Sequence, residues 1–415
     1  MSRFRHFLQA GHWPSLVGSF LYFDLSFMAW MMLGAVSAFV SEDFSLSATE
    51  KGVLVSLPIL GGSLFRILFG LLTDRIGPRK TAIIGMLFTL LPLFLLWVAG
   101  RTLPELYAYG FLLGIAGASF AAALPLASRW YPPQYQGLVM GITGAGNSGT
   151  LLAALFAPKI ATALGDWHLV FGLAMIPVGL TLLVYFFMVK EPPQAEVKSS
   201  LLLHSRTLLQ QRDAWLFCYF YSITFGGFVG MTSFLPLFLH DHYGLDKVTA
   251  GYWVTLCVLS GSLFRPLGGW ISDKVGGLRL LNGLFAAITA LFAVNSLLFS
   301  FNWDILVLLL TMIAFGLGNG AVFQLVPLRF KDEIGTMTGL VGAAGGIGGF
   351  LLPSLLGSMK DMTGSFTTGF LLLAIISAGG LWAAQLMGRG LQKNTHLDQS
   401  TPLQQDGMMS NERLT

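Results

Sequence analysis

Charge is what this chain has least of. Of 415 residues only 11% are Asp, Glu, Lys or Arg, while 54% are hydrophobic and mean hydropathy is +0.70. A soluble domain carries about 25% charged residues, so most of these side chains never meet water and a water-soluble fold is excluded. Cysteine is nearly missing. Cys218 and Cys257 both lie in apolar runs, which implies no disulfide framework and offers no metal-ligand spacing. The net charge of +4 is too small to suggest nucleic acid as a partner. No nucleophile–base pair or metal cluster stands out either, so neither an enzyme nor a cofactor is expected. His240-Asp241-His242 reads as a solvated turn rather than a metal site.

What is present in excess is glycine (50) and phenylalanine (34). Glycine is commoner in membrane helices than in soluble ones because small residues let backbones approach closely. A helix needs about 20 apolar residues to cross the hydrocarbon core. Twelve runs of that length centre near residues 27, 62, 89, 116, 148, 178, 226, 260, 290, 314, 346 and 376. They are continuous rather than alternating, which excludes a β-barrel reading. The first, roughly Pro14–Val40, is too long for a signal peptide and reads as a retained span.

Basic residues then set the expected sidedness. With the N-terminus inside, seventeen Lys and Arg fall in inner segments, five in outer loops, and only Arg66 and Arg265 within spans. Positive-inside bias therefore places both termini in the cytoplasm. The polar, proline-containing stretch after Lys190 divides the chain. The expected organisation is a six-helix bundle over 1–190, a cytoplasmic linker over 191–212, a second bundle over 213–390 and a disordered cytoplasmic tail over 391–415.

The two halves repeat each other. Gly62-Ser63-Leu64-Phe65-Arg66 recurs as Gly261-Ser262-Leu263-Phe264-Arg265, and the same offset of 199 carries Asp74 to Asp273. Gly141, Gly144 and Ala145 of the fifth span are echoed by Gly339, Gly342 and Ala343 of the eleventh. Parallel repeats of this kind place a transport site at the interface of the halves.

Arg66 and Arg265 are the charges least expected in a membrane. An arginine at the bilayer centre costs roughly 3 kcal/mol on insertion scales. Symmetry-related, the pair should face each other across a central cavity. A guanidinium is planar, permanently charged, and presents a fork of donors that matches an oxyanion. Within the spans only Asp24 is available to neutralise them, and one carboxylate cannot neutralise two arginines. At least one positive charge therefore awaits an anionic ligand. Asp24 itself has two readings: a salt-bridge partner for Arg66, or a titratable group that carries a proton. The glycines of the fifth span (Gly141, Gly144, Gly146, Gly149) and of the eleventh (Gly342, Gly345, Gly346, Gly348) serve either close helix crossing or room for an anion and for sliding helices.

These motifs resemble known ones. Gly70-Leu-Leu-Thr-Asp74-Arg75-Ile-Gly77-Pro-Arg79-Lys80, with its degraded copy Gly269-Trp-Ile-Ser-Asp273-Lys-Val-Gly276, is similar to the major facilitator motif between helices 2 and 3. The arginine pair and the glycine runs together resemble the nitrate/nitrite porter family. That resemblance implies an all-α polytopic membrane protein with the major facilitator fold: twelve transmembrane helices in two pseudo-symmetric six-helix bundles. It implies a monomeric transporter in a bacterial inner membrane, moving nitrate or nitrite by antiport or with a proton. It also implies that Arg66 and Arg265 clamp the anion, that Phe120, Tyr221 and Phe225 flank it, and that Asn147 is the signature asparagine. Asp74, Arg75, Arg79 and Asp273 would then form a cytoplasmic gate. Tyr221 and Phe225, four residues apart, share a helix face, which fits a pair of flanking rings. Asp24 departs from the exchangers of this family and raises proton-coupled uptake as the alternative. A transporter of another small anion, such as an organic acid or phosphate, keeps the arginines equally well, and a channel is a rival of a different class.

Overall fold

The computed structural model describes residues 2–132, 135–192, 210–330 and 334–399. After a short leading helix, Ser2–Gln9, twelve helices are long and apolar enough to cross a membrane. They are α1 Trp13–Asp43, α2 Ala48–Ile76, α3 Pro78–Val98, α4 Leu103–Ser128, α5 Val139–Leu164, α6 His168–Met188, α7 Arg212–Tyr243, α8 Lys247–Val275, α9 Gly277–Asn295, α10 Phe301–Val326, α11 Met337–Thr363 and α12 Thr367–Arg389. Each contains one of the expected apolar centres. No strand occurs among the described residues.

The sequence repeat is also a repeat of helix ends. Ser47 and Glu50 form a capping box at the start of α2, and Asp246, at the repeat offset from Ser47, accepts from Val248 and Thr249 N–H to cap α8. The tight turns after α2 and α8 are made by Gly77 (φ 94°) and Gly276 (φ 91°), backbone conformations that a Cβ would strain. Here the recurring motif glycines have a purely geometric reason. The linker expected over 191–212 lies mostly outside the described residues. The segment expected as a disordered tail, 391–415, begins instead as helix: the last helix runs on to Gln399, because Leu391, Gln392 and Lys393 all favour helix. Beyond Gln399 the tail lies outside the described residues.

Helices α1 and α7 are buried almost throughout and form the centre, whereas in α6, α8 and α9 only about a third of the residues are buried. The halves meet chiefly where α2 crosses α11, α5 crosses α8 and α1 crosses α7. These crossings lie at mid-depth and toward the face opposite the termini, called the distal face below. There Asp361, at the end of α11, accepts from Ala48 and Thr49 N–H at the start of α2, satisfying two orphan donors of that helix. Lys51 pairs with Asp241, and Glu42 pairs with both Lys247 and His240. His240 and Asp241 therefore do not form the solvated turn expected of them. They occupy the last turns of α7 and bridge to the other half. Toward the terminal face, no polar contact joins the halves among the described residues, and a Cβ added at Gly141, Gly144 or Gly339 would meet open space. Among the described residues the bundle is clamped distally and is joined less toward its termini.

Candidate functional site

At the mid-depth crossing of α2 with α11, Arg66 is buried, with 4% of its surface exposed. One terminal nitrogen donates to the Gly342 carbonyl of α11 (2.9 Å) and the other to the Gly117 carbonyl of α4 (2.9 Å). Its Nε is buried with no partner among the described residues. Three rings surround the guanidinium carbon, with centroids at 5.8 Å for Trp30, 5.8 Å for Phe120 and 5.5 Å for Phe225. A desolvated cation over ring faces is stabilised by the ring quadrupoles, yet it remains a cation.

Arg265, on α8, is half-buried and lies over the Phe323 ring at 5.9 Å. Tyr221 stands between the two arginines, with its hydroxyl toward Arg265 and within electrostatic reach of both guanidinium groups, which also repel each other. Its ring stacks on Phe225 at 4.9 Å and 5°, as their four-residue spacing on α7 dictates, and meets Phe323 edge-on at 4.8 Å. Phe120 closes the ring on the first-half side, 6.4 Å from Phe323. Among the described residues neither arginine forms an ion pair.

Five expected residues thus converge: Arg66, Arg265, Phe120, Tyr221 and Phe225. Asp24 does not join them. It accepts from the Ser148 hydroxyl at 2.6 Å and leaves Arg66 to the carbonyls. Asn147 is buried in the 3-10 segment Ala145–Ser148, which interrupts α5 between α1 and α8; its Oδ1 has no partner among the described residues, and its amide bonds neither guanidinium. The glycines divide by depth. Gly149 lies so close to α1 that a Cβ would collide with the Asp24 carbonyl, and Gly146 is packed on Phe23. In α11, Gly345 makes room for the Tyr221 and Phe225 rings, Gly346 faces Ser63, Gly348 meets the Ser222 backbone, and Gly342 lies against Arg66. Gly141 and Gly144 touch nothing.

The expected gate residues divide as well. Asp74 pairs with Arg129 at 3.1 Å. Arg79 donates its backbone N–H to Glu191 and a guanidinium N–H to the Phe186 carbonyl. Arg75 and Asp273 are exposed and unpaired among the described residues.

Two site residues were not anticipated. Trp30 donates its indole N–H to the Pro58 carbonyl at 2.7 Å, which fixes its ring beneath Arg66. Phe323 links both arginines through Tyr221. The sequence did hold a signal for it: Val326-Pro327-Leu328 repeats Leu124-Pro125-Leu126, and counting back from the prolines puts Phe323 one residue from the counterpart of Phe120.

A sequence model described as the Major Facilitator Superfamily matches residues 19–353. The chain is 34% identical over 355 residues to the "Nitrite extrusion protein" of Bacillus subtilis (strain 168), covering 85% of this chain and 88% of that protein. It is 33% identical over 363 residues to the "Probable nitrate/nitrite transporter NarK2" of Mycobacterium tuberculosis (strain ATCC 25618 / H37Rv), covering 84% and 90%. It is 30% identical over 420 residues to the "Probable nitrate/nitrite antiporter NarK1" of Thermus thermophilus, covering 94% and 95%. Among solved structures, the nucleoside transporter NupG superposes with a TM-score of 0.71 at 15% identity, over 90% of this chain and 99% of that one. A bacterial homologue of the lysosomal transporter Spinster gives 0.69 at 17%, over 90% and 96%. At such identities the likeness is one of fold.

Proposed function

Because the chain belongs to the Major Facilitator Superfamily and, within it, to the nitrate/nitrite porter family, we propose that it carries nitrate and nitrite across a bacterial inner membrane by alternating access between Arg66 and Arg265. The observation that supports this most is a shortage: two guanidinium groups near enough to repel each other, and no carboxylate paired with either among the described residues. A small planar monoanion fits the gap. Arg66 Nε and the half-buried Arg265 supply donors, and the edges of Phe120, Tyr221, Phe225 and Phe323, the positive part of each ring, would flank the anion. The anion offsets the repulsion of the arginines and lets the halves close on it. Closing without an anion buries two like charges, which favours exchange of one anion for another.

Asp24 is the proposed route to a second coupling mode. It is held by the Ser148 hydroxyl and the Gly149 backbone N–H and pairs with no cation among the described residues, so it can take up a proton, and coupling would come from an effect of that proton on the clamp. The positive-inside bias supports cytoplasmic termini, which makes the less joined face the cytoplasmic one. In the opposite state, the Asp74–Arg79 turn and its second-half copy would latch that face. The clamp is complete within one chain, which supports a monomeric transporter.

Counterflow of nitrate and nitrite in proteoliposomes tests the proposal. Wild-type protein should saturate and should accelerate with counter-anion. Charge-assisted hydrogen bonds contribute about 1.5–3 kcal/mol each, so Arg66→Lys and Arg265→Lys should each lose roughly 10- to 100-fold in kcat/KM. Normal transport in either variant refutes the clamp, and uptake of another anion in preference to nitrate reassigns the substrate. Asp24→Asn separates the coupling modes: loss of proton dependence identifies Asp24 as the proton site, and unchanged dependence removes it.

A further inference from the structure

The turn between α2 and α3 carries four charges, and they are unequally used. Asp74 is taken by Arg129, and Arg79 is taken by the Phe186 carbonyl and by Glu191. Arg75 and Lys80 are left exposed, with no ion pair or hydrogen bond among the described residues. These two cations flank a groove of about 490 Å³ whose other walls are Ile76, Ile83 and Ile84. Above each cation an apolar row climbs away from the terminal face at helical spacing. On α2 it is Leu71 and Ile67, four and eight residues before Arg75; on α3 it is Ile84 and Phe88, four and eight residues after Lys80. Leu71, Ile67 and Phe88 are all open to the surroundings, 38%, 51% and 54% exposed. Two unpaired cations at a helix turn, an apolar notch between them and an apolar row above each describe the outline of a phospholipid.

We propose that this turn holds an anionic phospholipid, its phosphate between Arg75 and Lys80 and its acyl chains along α2 and α3. The corresponding turn of the second half does not repeat the arrangement. Lys274, in the place of Arg75, is drawn onto the Trp270 ring at 3.6 Å, and Asp273 stands beside it exposed and unpaired among the described residues, where it would repel a phosphate. Although Arg279 repeats Lys80, the ring-bound Lys274 and the free Asp273 make the second turn the weaker candidate, and the proposed site is that of the first half.

The test is native mass spectrometry of the full chain in detergent with equal amounts of phosphatidylglycerol and phosphatidylcholine. A cation near a membrane surface is worth about fivefold in binding an anionic lipid, so the pair should favour phosphatidylglycerol on the order of 30-fold. One phosphatidylglycerol should be retained. Arg75→Gln/Lys80→Gln should abolish the preference, Lys80→Gln alone should lower it about fivefold, and Lys274→Gln/Arg279→Gln should leave it intact. Lys80 makes no contact that the fold needs, so the single variant is informative even if the double variant is unstable. Equal retention of the two lipids by the wild type, or a preference undiminished by Lys80→Gln, overturns the proposal. The readout does not involve transport, so it stands or falls separately from the anion clamp.

Discussion

Arg66 and Arg265 occupy the same place in the repeat and live in different surroundings. The first is sealed: two carbonyls, three rings and almost no exposed surface. The second is half-open, with one ring and the Tyr221 hydroxyl for company. Duplication preserved the position of the charge, and the environments then diverged. Arg66 reads as a fixed post that ties α2 to α4 and α11, and Arg265 as the jaw that approaches it. The turns below follow the same pattern, since Asp74 has its arginine while Asp273 has none among the described residues. In the second half the counterpart of Arg129 is Lys331, which lies outside the described residues, and the nearby Arg329 pairs with Asp213.

The sharpest way to break this comparison is to truncate both arginines. Arg66→Ala removes the charged donors to the Gly117 and Gly342 carbonyls at an apolar crossing, each such hydrogen bond contributing about 1.5–3 kcal/mol. It should lose transport and lower the melting temperature in detergent. Arg265→Ala should lose transport with little change in melting. Equal destabilisation by the two would erase the distinction between post and jaw.

The glycines allow a comparison by depth. Gly345→Ala drives a methyl into the Tyr221 and Phe225 rings and should cost about 1–3 kcal/mol of stability together with affinity. Gly144→Ala meets open space here and, as a helix-favouring change, should leave thermal stability unchanged or raise it by up to about 1 kcal/mol. A smaller contrast separates the helix-turn aspartates. The Asp74–Arg129 pair is partly solvated, so Asp74→Asn should cost less than about 1 kcal/mol and Asp273→Asn nothing measurable in a denaturation series.

A pH-dependent effect is expected at Asp246. Hydrogen bonds from the Thr249 side chain and from the Thr249 and Val248 backbone hold its carboxyl below the usual carboxylate range. A lowered carboxylate stabilises the fold above its unfolded-state value, and that contribution is lost as pH falls through the lowered value. Asp246→Ala should cost about 1 kcal/mol at neutral pH, with the difference from wild type vanishing in acid.

Much of this was legible in the sequence, for definite reasons. Apolar length alone fixes a span, so all twelve could be counted. The arginine pair was visible because charge is so rare in these helices and because the surrounding five residues repeat. The unequal surroundings of the pair were not visible. The partners of Arg66 are carbonyls of Gly117 and Gly342, and a backbone acceptor has no residue-type signature. Asp24 misled for the related reason that depth along a helix says nothing about its facing: it shares a span depth with Arg66 but turns to Ser148. His240 looked like part of a solvated turn because its partner Glu42 lies 198 residues away in the other half. Phe323 was hidden by the choice of offset, since the fourth and tenth helices align at 202 rather than 199.

The distal clamp has a consequence for timing. Its ion pairs are partly solvated: Glu42 is 53% exposed, and each such pair contributes at most about 1 kcal/mol. Water and salt replace these partners as fast as they part, so the lifetime of the closed face is set by how quickly packed glycine crossings slide and not by bond rupture. Rigid-body motions of that kind run in microseconds to milliseconds. A barrier this low leaves the pace of each cycle to whatever fills the space between the arginines.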